Sequence, residues 1–378
     1  MRILITGSNG FIGSNLRLFI SKNKKFQILT FCRKDSLDDL NVKIKESDLI
    51  VHLAGVNRSP NKSDFFEGNT NLTEIIVKTI QNIYLSEDRK IPIIFASSIH
   101  FDQNTFYGQS KNKAEEAILK LNKETGINVH IYRLSNIFGK WSKPNYNSVV
   151  STFCFNVANN KPIEINDKNY LLKLLYIDDV VLSISDLIDS YLNNHNSQEI
   201  YLNIEPVYNI TVGELADIIL SFRQLRLSGK VPETESGILR ALYSTFISFL
   251  PQDKFAYEIE SYSDVRGKFV EFIKTKTSGQ FGYFTIEPGM ERGNHYHHSK
   301  TEKFIVIHGL AKFTYENLNT KESFELIISE KDNKVIDSIP GWAHKISNEG
   351  KSNTIILVWS NEIFNPLNSD TFPYMFKE

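Results

Sequence analysis

Two groups of residues in this chain have types and spacings suited to chemistry. The first is Ser98, followed nine residues later by Tyr107 and then by Lys111. Tyr107 and Lys111 stand four apart, so on a helix they share a face. A lysine ammonium beside a phenol lowers its pKa, and the tyrosine can then give a proton to a carbonyl oxygen as hydride reaches the carbon. A nearby serine hydroxyl can hold the same oxygen. The second group is His295, His297, Glu302 and His344. On a strand His295 and His297 alternate onto one face. Glu302 can reach them from the start of the next strand, and His344 follows the separate turn Pro340-Gly341-Trp342-Ala343. Three imidazoles and one carboxylate suit a divalent metal: Zn first, or Fe, Mn or Ni. That metal could also be structural, holding the barrel rim.

The first group needs a sheet and a nucleotide behind it. Arg2-Ile3-Leu4-Ile5 is a short apolar run, and Thr6-Gly7-Ser8-Asn9-Gly10-Phe11-Ile12-Gly13 follows at once. A strand, a glycine turn and a helix start bring bare N–H groups and a positive helix end to the pyrophosphate of a dinucleotide. Gly7 and Gly10 let the backbone approach, Gly13 lets the helix pack closely, and Asn9, Phe11 and Ile12 complete the cofactor turn. Leu49–Leu53 is a continuously apolar strand, as burial on both faces requires. It runs into Ala54-Gly55, so Leu53, Ala54 and Gly55 are expected at the cofactor, with Asn57 and Arg58 at the substrate mouth. Just past the strand Phe26–Phe31 stands Arg33, whose cation favours the 2′-phosphate of NADP, although Asp35 is close. Helices are expected over Asn15–Lys22 and Asn71–Tyr84, and a fourth strand from Ile91. Strands alternating with helices predict an α/β doubly wound, parallel-sheet domain.

Beyond Pro251 the pattern changes to short strands between Gly, Asn, Asp and Pro turns. Phe269–Phe272, Phe281–Glu287, Lys303–Ile307, Lys312–Glu316 and Thr354–Trp359 suit an all-β barrel or jelly roll. The expected domains are 1–250 and 251–378. Thr211–Phe222 and Glu235–Leu250 are amphipathic, the second a connector.

A net charge of −1 and a pI near 6.8 give no electrostatic grip on nucleic acid or an anionic membrane. No apolar run reaches the ~20 residues of a membrane span. Cys32 and Cys154 are far apart and form no CxxC pattern, as in a reducing compartment. A strand at the first residues leaves no room for a signal peptide, so a soluble, cytoplasmic protein is expected.

The motifs TGxxGxxG, a serine ending the fourth strand and YxxxK resemble the extended short-chain dehydrogenase/reductase family over roughly residues 1–245. That likeness gives Ser98, Tyr107 and Lys111 the catalytic roles, with Lys111 also at the cofactor. Arg133-Leu134-Ser135-Asn136-Ile137-Phe138-Gly139 resembles the family segment in which Asn136 would face the sugar. Tyr176-Ile177-Asp178-Asp179 resembles its (Y/H)xxD element, or else marks a helix start with Asp at the cap. Ile99-His100 stand where dehydrating relatives carry Asp-Glu, which implies plain ketone reduction. Gly289 to Gly309 meets every fixed position of the first cupin motif, G(x)5HxH(x)3-4E(x)6G. In the second motif His344 and Asn348 have the right separation, while the Pro340-Gly341 pair lacks an intervening residue.

A reductase followed by a metal cupin, with Arg292-Gly293-Asn294-His295-Tyr296-His297-His298, resembles the bifunctional capsule and O-antigen enzymes of the UDP-N-acetyl-L-fucosamine pathway. This resemblance implies a UDP-linked 4-keto-6-deoxy-N-acetylhexosamine substrate, C3 epimerisation in the cupin, C4 reduction with NADPH, and a homodimer. The base at C3 is not identified; His298, Lys303 and Tyr283 are candidates. Two rivals stand: a monofunctional reductase whose cupin only dimerises it, and a nucleotide sensor without turnover, which would need no proton donor.

Overall fold

The computed structural model describes residues 1–193 and 197–377. Arg2–Thr6 (β1) is the second strand of a six-stranded sheet whose pairings are all parallel. Its order is β2 (Gln27–Phe31), β1, β3 (Leu49–His52), β4 (Ile93–Ser98), β5 (Val129–Leu134) and the short strand Tyr201–Leu202. Every residue of β3 and β4 is buried. Alternate residues therefore feed two separate cores. Ile3, Ile5, Val51 and Ile94 pack with Leu16, Ile20 and Ile184 on one face, and Leu4, Ile50, Ile93 and Phe95 with Ile76, Ile80 and Ile118 on the other. The chain order reverses between β1 and β3, and open α/β sheets bind ligands at the strand ends there.

The first helix starts at Phe11 and not at Asn15, because Gly10 is extended and serves as its N-cap. The helix expected from Asn71 runs over Leu72–Glu87 and is preceded by a π-helix, Phe66–Asn71. Ile177–Leu192 does not carry an aspartate at its cap. Tyr176 holds that position, and Asp178 and Asp179 lie in the first turn, where the helix dipole favours them.

In the β region two antiparallel sheets pack face to face, forming an all-β jelly-roll domain. One orders Ser261–Asp264, Gly267–Thr275, Gly279–Ile286, Thr354–Ser360, Glu302–His308 and Ile336–Ser338. The other orders Ser323–Ser329, Leu310–Asn317, Trp342–Asn348, Glu291–Tyr296 and Phe372–Pro373. Phe284, Phe304, Val306 and Ile356 of the first meet Phe313, Tyr315 and Ile346 of the second in one core.

The chain divides into two compact units, Met1–Ile219 with Ser244–Leu250, and Leu220–Tyr243 with Pro251–Glu378. Leu220–Tyr243, which the sequence puts in the first domain, thus groups with the second. A bridge between Lys230 and Lys274 ties it to the strand Gly267–Thr275. Among the described residues no helix is long and apolar enough to cross a membrane.

Candidate functional site

Two sites, one in each unit, collect the residues of interest. In the first unit a cavity of about 630 Å³ opens at the C-terminal ends of β1, β3 and β4. Gly7, Asn9, Gly10, Phe11, Ile12, Gly13, Leu53 and Gly55 line one part of it. Gly7 has φ +67°, and a Cβ there would lie 2.7 Å from the Ala54 nitrogen. A Cβ on Gly13 would lie 2.3 Å from the Gly7 carbonyl oxygen. Both glycines are therefore demanded by close backbone approach. Ala54 does not line the cavity; its N–H donates to Thr6 Oγ1 at 3.2 Å and holds β3 against β1. Arg33 stands exposed two residues beyond β2, outside the lining.

Ser98, Tyr107 and Lys111 line the same cavity, with Asn57 and Asn136. Ser98 ends β4. Thr105 caps the helix Phe106–Thr125 by accepting from Gly108 N–H at 3.0 Å, which aims Tyr107 and Lys111 back at that strand end. Tyr107 hydrogen-bonds to Ser98. The expected effect of Lys111 on the phenol is not seen. Burial raises the Tyr107 pKa, only partly countered by the Ser98 bond, and Lys111 Nζ instead donates to the Ala96 carbonyl at 2.8 Å. Arg58 does not line the cavity: its guanidinium donates to the Tyr146 carbonyl, and Tyr146 hydroxyl donates to the Arg58 carbonyl at 3.4 Å. That exchange joins the loop after β3 to the Trp141–Ser148 loop, which also lines the cavity.

In the second unit His295, His297, Glu302 and His344 converge, each offering a donor atom within 4.8 Å of the others. His297 Nε2 is 3.2 Å, and His344 Nε2 3.6 Å, from Glu302 Oε2. Burial, with the neighbouring His344, holds His295 down at about 3, so its ring is neutral at ordinary pH, the form that a metal ion requires. Burial disfavours the Glu302 carboxylate, yet hydrogen bonds from His297 and His344 and the Lys300 ammonium hold its pKa well below the usual range. His295 Nε2 is buried with no hydrogen-bond partner among the described residues. Such an orphaned imidazole nitrogen facing a carboxylate and two more imidazoles fits a divalent metal. His295, Glu302 and His344 line a cavity of about 330 Å³ together with Lys300, Arg266 and Arg292, and His297 lies behind that wall. His298, Lys303 and Tyr283 do not line it, and Lys303 is paired with Asp337.

Residues 3–204 match the NAD dependent epimerase/dehydratase family, and residues 262–372 the polysaccharide biosynthesis C-terminal domain. A reductase of Pseudomonas aeruginosa, named for UDP-2-acetamido-2,6-beta-L-arabino-hexul-4-ose, is 43% identical over 98% of both chains. The chain belongs to the NAD dependent epimerase/dehydratase family. The crystal structure of the capsular polysaccharide assembling protein CapF from Staphylococcus aureus has a TM-score of 0.89 at 35% identity, covering 100% of each chain. A CapF crystal structure with the inhibitor 3-isopropenyl-tropolone has a TM-score of 0.85 at 33% identity, again over both full chains.

Family membership implies a nicotinamide cofactor. It leaves several residues that sequence reasoning did not single out. Asn69, in the π-helix, donates to Val56 carbonyl and Ser110 Oγ, each at 2.9 Å, and accepts from Val56 N–H at 2.8 Å. It thereby fixes the loop that follows Gly55. A buried asparagine has no distinguishing sequence signal, and the π-helix that aims it is a tertiary feature. Lys300 lies between the motif positions His297 and Glu302, and only its 2.8 Å pair with Glu302 Oε1 reveals it.

Lys111 sets an expected pH dependence for the epimerase/dehydratase site. Burial pulls its pKa down to about 8, with Glu115 pushing the other way. A lowered pKa on a base means that its charge is lost early as pH rises. The Tyr107 pKa is raised, so the phenol keeps its proton through the same range. The kcat/KM for ketone reduction should therefore fall as pH rises through about 8. A profile flat to pH 10 would remove Lys111 charge from the mechanism.

Proposed function

We propose that the chain is a bifunctional sugar-nucleotide enzyme of bacterial capsule or O-antigen synthesis. On this reading the cupin site epimerises C3 of a UDP-2-acetamido-2,6-dideoxy-4-ketohexose. The reductase site then reduces C4 with NADPH to UDP-2-acetamido-2,6-dideoxy-L-talose. The carrying observation is the cluster of His295, His297, Glu302 and His344, three of which line a cavity, in a chain whose other unit holds Ser98 and Tyr107 in a glycine-lined cavity. The name of the Pseudomonas aeruginosa relative supports the 4-keto substrate class. Exposed Arg33 supports NADPH over NADH, since its cation can meet a 2′-phosphate. Asn57 and Asn136 are assigned to the sugar nucleotide, and the protein to a cytoplasmic homodimer.

At the reductase site the nicotinamide supplies the hydride for C4. Tyr107 hydroxyl gives its proton to O4, and Ser98 hydroxyl holds that oxygen while charge develops on it. Lys111 keeps a positive charge beneath the site. At the second site His295, His297, Glu302 and His344 would hold zinc or another divalent ion, whose Lewis acidity makes the proton beside a ketone easier to remove. The C3 proton leaves to a base on one face and a proton returns on the other, with no net redox change. Reduction at C4 then removes the ketone and fixes the C3 configuration.

The experiment is proton NMR of the UDP-linked 4-keto sugar with enzyme in deuterium oxide and no NADPH. Loss of the C3 proton signal is expected. Persistence of that signal, with reduction on adding NADPH, leaves a monofunctional reductase whose second unit serves assembly.

A further inference from the structure

After the strand Thr354–Ser360 the chain turns back across the metal-ligand cavity and is fastened at both ends. Asn361 N–H donates to Thr301 carbonyl, and Asn361 Oδ1 accepts from Thr301 N–H, both at 3.1 Å. Phe364 N–H donates to Gln280 Oε1 at 3.0 Å. At the far end Phe372–Pro373 pairs with His295–Tyr296, and Tyr374 N–H donates to Asn294 carbonyl at 2.8 Å. Between these anchors the chain is exposed, with Leu367 at 95%. Phe364 and Thr371 form part of the cavity wall.

Asp370 is where this strap meets the ligands. Its carboxylate accepts the N–H groups of His298 at 2.9 Å and of Ser299 and Lys300 at 2.7 Å, and the Ser299 hydroxyl at 2.9 Å. Three successive amides around one carboxylate form a charge-assisted nest. Its backbone carbonyl takes a hydrogen bond from His297 Nδ1. A carbonyl can only accept, so Nδ1 carries a proton, and Nε2, which faces Glu302 Oε2, is the ring nitrogen left to ligate an ion. The turn held in the nest joins the strand bearing His295 to the strand bearing Glu302. It also fixes Lys300, whose ammonium takes Glu302 Oε1 and leaves Oε2 to the imidazoles.

We propose that Asp370 is the positioning residue of the metal site, and that the strap 361–374 is coupled through it to metal binding. The proposal rests on the reading of the four converging residues as metal ligands. Asp370 orients His297 and shapes the ligand turn without touching the ion. By reciprocity, whatever factor the docked strap adds to metal affinity, metal loading must add to strap docking. A metal-dependent wall would keep the sugar cavity closed only in protein competent for chemistry.

The test measures zinc affinity by competition with a chromophoric chelator, using the full-length protein, Asp370→Ala and Ser299→Ala. Circular dichroism checks that each variant is folded. Partners that orient a metal-bound histidine are worth roughly 10- to 100-fold in affinity; Asp370→Ala keeps the carbonyl that meets His297 but removes the nest that holds it in place, so a loss at the lower end, about 10-fold, is expected. Ser299→Ala removes one contact and leaves His297 held, so its affinity should stay within about threefold of wild type. In parallel, protease cleavage near Leu367 of wild-type protein should be several-fold faster after chelation than with zinc. Equal zinc affinity for wild type and Asp370→Ala overturns the proposal, as does cleavage indifferent to zinc. Wild type that takes up no zinc overturns the metal reading itself, and the coupling with it. Should Asp370→Ala fail to fold, the wild-type cleavage comparison decides alone.

Discussion

Tyr107→Phe should abolish ketone reduction while leaving the dinucleotide bound. The change removes one oxygen and keeps the ring, which packs edge-on to Phe65 at 6.3 Å between centroids. The glycine turn and Lys111 stay in place, because the Lys111 ammonium is held by the Ala96 carbonyl and not by the phenol. What disappears is the hydroxyl that hydrogen-bonds to Ser98 from the helix Phe106–Thr125. A positioned proton donor contributes about 10²–10⁴-fold, or about 3–5 kcal/mol of barrier. Since burial raises the Tyr107 pKa, wild type holds the proton at neutral pH, and the loss should be flat between pH 6 and 8. Steady-state NADPH oxidation should show the fall in kcat, and cofactor fluorescence titration should give a Kd within a few-fold of wild type. Oxidation within threefold of wild type would leave Tyr107 a packing residue. Ser98→Ala should cost less, since it shares the oxygen but gives no proton.

The parallel sheet was legible because its signals are local. Ile3, Leu4 and Ile5, like Leu49, Ile50 and Val51, are wholly buried apolar runs, as a strand buried on both faces requires. Gly7 and Gly13 were legible for a related reason: the backbone approaches that they permit leave no room for a Cβ. In the β region the reading was patchier. Glu291–Tyr296 has the sequence ERGNHY, half-buried throughout and without apolar alternation, and a register shift after Gly293 disturbs its period further. Ser323–Ser329 is an edge strand with five of its seven residues exposed, so nothing forces a hydrophobic face on it. The His297 position shows the limit of a period-2 argument. It lies one residue beyond the strand, and its ring turns toward His295 and His344 because Asp370, 73 residues away, holds Nδ1. Arg58 and Ala54 were placed at the cavity by adjacency along the chain, whereas their contacts run to Tyr146 and Thr6. The Tyr107–Lys111 spacing gave the shared helix face but not the lysine's choice of partner.

His344→Ala should leave C4 reduction working and end C3 exchange. His344 is 1% exposed on the strand Trp342–Asn348, paired with His295 across the sheet, and it belongs to the second unit only. Its ring centroid lies 4.6 Å from that of His295 and 5.4 Å from that of His297, so its removal opens the cluster from one side. The substitution deletes one donor of four and takes a hydrogen-bond partner from Glu302. Outer partners of ligating histidines are worth 10- to 100-fold in metal affinity, so loss of a ligand should cost at least on the order of 100-fold. The purified variant should therefore carry little metal by elemental analysis and exchange no deuteron at C3. Ser98, Tyr107 and the glycine turn are untouched, so NADPH oxidation with a substrate already in the product's C3 configuration should stay within a few-fold of wild type. With the unepimerised 4-keto sugar, NADPH oxidation should instead slow to the rate at which the wrong epimer is accepted. That split between two substrates separates an epimerase site from a rim support, which would lower both rates together through instability. Exchange at C3 persisting in a variant shown to be metal-free would move the C3 chemistry away from this cluster.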